Sequence, residues 1–71
     1  MSLSPKKLLL SKWTSTAPAR REKHFLVTSV IVPDDGSPVA EVDLQAVLTE
    51  RTYRIGWREL NDQTRWVAGW K

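Results

Sequence analysis

The sequence predicts a mainly β fold: a small SH3-like barrel or a strongly twisted antiparallel meander of about five short strands, with a short helical turn near residues 57–62. Three observations predict it. His24 to Val32, "HFLVTSVIV", is rich in β-branched and aromatic residues, the composition of a strand. Val39 to Trp57 alternates apolar and polar residues with a period of two over most of its length. Gly, Pro, Asp and Asn gather between these runs, where turns need them.

Taken in order, Met1 to Pro5 reads as a flexible start, followed by a single small β domain over residues 6–71. "LLLSKW" is a first strand. Residues 14–22, "TSTAPARRE", read as a long polar loop, because Ser, Thr and Pro supply turns and no apolar period runs through them. After the His24–Val32 strand, Pro33-Asp34-Asp35-Gly36-Ser37-Pro38 forms a turn in which Gly tolerates positive φ and Asp bonds back to the backbone.

The stretch "VAEVDLQAVLTE" has good helix formers, but a helical wheel gives it no apolar stripe. With period two, Ala40, Val42, Leu44, Ala46 and Leu48 share one face, so it is a strand. A hairpin turning at Glu50-Arg51 then pairs Leu48 with Tyr53, Ala46 with Ile55 and Leu44 with Trp57, and sets Asp43 opposite Arg58 outside. If the preceding turn spans residues 34–37, Val27 meets Leu44 and Phe25 meets Ala46. The tail turns at Asn61-Asp62 and ends in a short element carrying Trp66 and Trp70. The competing arrangement is a three- or four-stranded sheet covered by a C-terminal helix over residues 57–68.

A chain of 71 residues buries only about 60% of the surface its unfolded form exposes. It has no Cys and one His, so disulfide and zinc staples are absent, and its four Trp must supply much of the core. Trp66 and Trp70, four apart, share a face in a strand or a helix alike, and are expected to close the core together.

The net charge of +3 is uneven. Residues 1–24 carry six basic groups against one acid, whereas residues 25–71 carry five basic groups against seven acids. This basic edge defines the candidate binding surface: Lys6, Lys7, Lys12, Trp13, Arg20, Arg21, Lys23 and His24. Trp13 is the aromatic expected to stand exposed beside the basic loop, and Arg54 with Arg58 is a second basic strip among Glu41, Asp43, Glu50 and Glu59.

Catalytic chemistry has little to work with. The lone His24 has no Cys partner or nucleophile elbow, Asp34-Asp35 sits where a turn wants acids anyway, and no Gly-rich phosphate loop exists. No enzyme, cofactor or metal is expected. Leu8-Leu9-Leu10 is interrupted too soon for a secretory signal, and no run approaches the ~20 apolar residues of a membrane helix. The expectation is a cytoplasmic protein without membrane contact.

"PKKLLLSKWT", "REKHF", "AVLTERTY", "WRELND" and "WVAGWK" together resemble a family of short tryptophan-rich bacterial proteins, a domain of unknown function, from about Pro5 to Lys71. The resemblance implies a stand-alone bacterial cytoplasmic protein and carries no activity or residue role. Two functions remain from the residues. One is a protein-interaction module that uses the basic loop and an adjacent aromatic to meet a protein or peptide, acidic in character. The other is an RNA or single-stranded nucleic-acid module that combines the same cations with base stacking.

Overall fold

The structure, a computed structural model, describes residues 5–71. The flexible start expected for residues 1–5 lies outside them except for Pro5. A short 3₁₀ turn, Pro5–Leu8, leads into β1 (Lys12–Ala19), β2 (Glu22–Ile31), β3 (Glu41–Ala46) and β4 (Thr52–Gly56). A second 3₁₀ turn, Trp57–Asn61, and β5 (Trp66–Ala68) complete the chain. All five strands form one antiparallel sheet in the order β4-β3-β2-β1-β5. β4 and β5 remain separate edges, so the antiparallel sheet stays open and the closed barrel is not formed.

The centre of the sheet follows the alternation in the sequence. Phe25 pairs with Ala46 and Val27 with Leu44, as expected, and both pairs point into the core. The register then shifts between Val27 and Ser29, so that Val30 meets Val42. An extra residue in β2 lets Val27 and Val30, three apart, pack on the same core. The turn behind β2 forms as expected: Gly36 has φ +80° and the Ser37 amide donates to Asp35 Oδ1 at 2.9 Å.

Four expectations are corrected. The first concerns β1, which starts at Lys12 and runs through most of the predicted polar loop. Leu8 to Leu10 belongs to the preceding turn, where Leu8 is buried and Leu10 takes φ +64°. Thr14, Thr16 and Pro18 alternate with Ser15, Ala17 and Ala19, so neither face carries an apolar stripe for a periodicity argument to find. Hydrogen bonds to the chain's far end hold this strand instead. Thr14 Oγ1 donates to the Gly69 carbonyl at 2.7 Å, and the Thr16 amide donates to Arg65 O at 3.0 Å. The long loop shrinks to Arg20-Arg21, with φ +55° and +63°, the backbone signature of a tight hairpin turn.

The second correction is the β3–β4 register. Tyr53 lies opposite Leu44, Ile55 opposite Val42, and Arg54 opposite Asp43. The turn is the longer Val47–Glu50 loop, with Glu50 at φ +62° and the Ala46 amide donating to Arg51 O at 2.8 Å. Leu48 is thereby left exposed. Relative to the expected pairing this is a slip by an even number of residues, which keeps every side chain on its face. The predicted cross-strand ion pair exists with a different partner: Arg54 Nε lies 2.9 Å from Asp43 Oδ1. Arg58 lies over the Trp57 ring at 5.6 Å.

The third correction concerns Trp13, expected to be exposed. It is 6% accessible and packs on Phe25's side of the sheet, its indole N–H donating to Ser11 Oγ at 2.8 Å.

The fourth separates the two C-terminal tryptophans. Their segment is a strand and then a reversal, not a helix. Trp66 packs edge-on against Phe25, with ring centroids 5.2 Å apart, in the core face. Gly69 at φ +86° then turns the chain over the opposite face, where the Lys71 amide donates to Thr14 Oγ1 at 2.9 Å. Trp70 is left 44% exposed there. The second 3₁₀ turn matches the predicted helical turn and inserts the buried Leu60 beneath the sheet.

Candidate functional site

The expected basic surface divides into separate places. Lys6 and Lys7 lie on the first 3₁₀ turn, where Lys6 borders a shallow depression with Leu9, Thr28 and Val32. Arg20 and Arg21 occupy the hairpin tip, an eight-residue strand away from Lys12, which at about 3.3 Å per residue is some 25 Å. Lys23 is exposed on β2 near that tip. Lys12 and His24 do come together, around Trp70 in place of Trp13. Lys12 Nζ lies 4.7 Å from the Trp70 ring centroid. The His24 ring is tilted 53° to the indole, with centroids 6.2 Å apart, and His24 Nε2 lies 3.0 Å from Lys71 O. Trp70 Nε1 donates to Phe25 O at 2.9 Å, which anchors the ring while leaving part of it accessible.

A second site was not visible in the sequence. The open sheet leaves a cavity of about 470 Å³ on its core face, with contributions from all five strands. Ser15, Ala17 and Ala19 of β1 line it with small side chains, and their size is why the space is empty. Phe25, Leu44, Tyr53, Ile55 and Trp66 form the apolar and aromatic wall. Phe25 stands between two rings, 5.2 Å from Trp66 and 6.3 Å from Tyr53, in edge-on contacts favoured by aromatic quadrupoles.

Two charged groups line the cavity, the exposed Arg20 and Glu22, which is only 5% accessible. Its carboxylate accepts hydrogen bonds from the Thr49 hydroxyl and, at 2.6 Å, from the Tyr53 hydroxyl. These two donors, Thr49 first, hold the carboxyl below the ordinary glutamate range against the opposing effect of burial, with smaller help from Arg51 and Arg20. The ion pairs among the described residues are Arg54–Asp43 and Arg65–Glu59, so Glu22 has no cation within 4.0 Å. Trp66, on the same wall, has a buried indole N–H without a hydrogen-bond partner among the described residues.

Glu22 carried one signal in the sequence: it is the single acid among the basic residues of the first 24 positions. Tyr53 and Trp66 read only as core residues, and their convergence on Glu22 depends on the β3–β4 register and on β5 pairing beside β1. No cluster of three or more His, Cys, Asp or Glu suited to a metal occurs among the described residues. No helix among them is long and apolar enough to cross a membrane.

A family model described as a tryptophan-rich protein, DUF2389, matches residues 11–71. No curated protein and no solved structure matches the chain.

Proposed function

The chain belongs to the tryptophan-rich family DUF2389, and we propose that it works as a non-catalytic protein-interaction module. An extended segment of a partner lies along the core-face cavity beside the free edge of β4. The observation that carries this reading is the apolar cavity that the unclosed sheet leaves open next to the outer edge of β4. Edge strands accept further strands through their backbone groups, while neighbouring pockets select side chains. The non-catalytic part rests on the sequence, with one His and no Cys. A cytoplasmic setting accords with the same cysteine-free composition, and a bacterial source is what the family resemblance implies.

Ala17→Arg tests the proposal, because it fills the cavity from an exposed position without removing a core side chain. Partner capture and cross-linking through Tyr53 or Ile55 should be lost while thermal stability is kept. Equal capture by a folded Ala17→Arg protein would place the interaction elsewhere.

The half-exposed Trp70 with Lys12 beside it favours a second reading, single-stranded nucleic acid on the opposite face. A labelled oligouridine should then bind with affinity falling steeply with salt, and Trp70→Ala should cost about 1–3 kcal/mol. No binding at about 50 mM salt removes this reading.

A further inference from the structure

We infer that the core-face cavity is a receptor for an organic cation, a primary ammonium or a guanidinium, held at Glu22 between the rings of Phe25, Tyr53 and Trp66. The inference rests on the cavity being the binding surface proposed above, and adds the chemistry of what enters it.

A carboxylate taken out of water needs strong partners. An ionised carboxylate offers about four lone-pair sites. The hydroxyls of Thr49 and Tyr53 engage the Glu22 oxygens, one on each. Both partners are neutral, and among the described residues no cation is in contact with the carboxylate, although Arg51 and Arg20 lie near enough to favour its charge. Aromatic rings attract cations through their faces, and Phe25, Tyr53 and Trp66 line the cavity. A buried carboxylate and an aromatic lining both favour a cationic ligand. The volume of about 470 Å³ lies within the range of roughly 300–1,000 Å³ typical of small-ligand sites.

Arg20, a cation, also lines the cavity and adds a second requirement. A ligand passing it does best with a hydrogen-bond acceptor behind its cationic head. A Lys or Arg residue of an extended peptide, with its backbone carbonyls, combines cation and acceptor in that way; a free amine bearing an oxygen does so too.

The test is a heteronuclear NMR titration of the full chain with butylammonium, butylguanidinium and neutral 1-pentanol. The cations should saturably shift the Glu22 and Tyr53 amides and the Trp66 indole signal, with affinity at least about tenfold above that of pentanol. Glu22→Gln should abolish that preference. The wild-type comparison of cation with alcohol decides the matter by itself if that variant folds poorly. Pentanol binding as well as the cations would overturn the cation chemistry and leave the interaction surface standing. No shift at the cavity with any probe, including a capped Val-Lys-Val peptide, would overturn both. A peptide at least tenfold tighter than butylammonium identifies a partner's side chain as the cation source, and equal affinity identifies a free small cation; either supports the receptor chemistry.

Discussion

Trp66 and Trp70 sit four residues apart, yet they serve opposite faces of the sheet. Trp66 is partly buried, packs on Phe25 and walls a cavity with a buried acid. Trp70 is 44% exposed, pinned by one hydrogen bond and flanked by Lys12 and His24. The carboxylates repeat the contrast. Glu22 on the core face is buried with neutral hydroxyl partners, whereas Asp43 on the outer face pairs with an exposed Arg54. Spacing along the chain thus says little about environment once a backbone reversal intervenes. Gly69 is that reversal.

The largest test of the contrast removes one ring from each side. Trp13→Ala, deep on the core face, should cost about 3–5 kcal/mol in urea unfolding and could leave the domain unfolded. Trp70→Ala should cost about 1 kcal/mol, since its exposed ring loses less burial. Equal losses would erase the distinction between the faces.

A conformational test comes next. Gly69→Ala meets only ordinary contacts with the Lys71 side chain, but forces a β-carbon into φ +86°. It should cost about 1 kcal/mol or more and raise acrylamide quenching of Trp70, leaving Trp66 unchanged. The Arg20-Arg21 tip allows the reverse experiment. Both residues have positive φ, so replacement by Asn-Gly should stabilise the hairpin by about 1 kcal/mol in the same assay.

The smallest expected effect is a pH dependence. The Glu22 carboxyl is held low in the folded chain, so the unfolded state binds its proton more readily. Its contribution to stability is present above the ordinary glutamate value of about 4.3, and is lost as pH falls through the lower folded value. Asp35 and Asp62, held low by the hydroxyls and amides of Ser37 and Thr64, act in the same direction. Glu22→Gln should therefore flatten the acid limb of a melting-temperature profile without abolishing it. An unchanged acid limb would show that the two hydroxyl bonds do not favour the charged form.

Much of the candidate site was illegible for physical reasons. Trp13 bordered cations in sequence, but alternation sends it to the core while Lys12 turns to solvent, and nothing local says which face is buried. The cavity depends on small residues of β1 meeting large residues of β4 and β5, a juxtaposition only topology supplies.

By itself, the sequence determined the β class, the tryptophan-rich family, the turn at Asp35-Gly36, the helical turn near Leu60 and the pairing of Phe25 with Ala46 and Val27 with Leu44. Those features follow from local turn chemistry and from one strongly apolar face. Tertiary structure alone decided the β3–β4 register, because an even slip conserves the faces and the pattern is blind to it. It also decided that residues 14–19 are strand. Their polar side chains offer no hydrophobic signal, and Thr14 takes its partner from Gly69, 55 positions away.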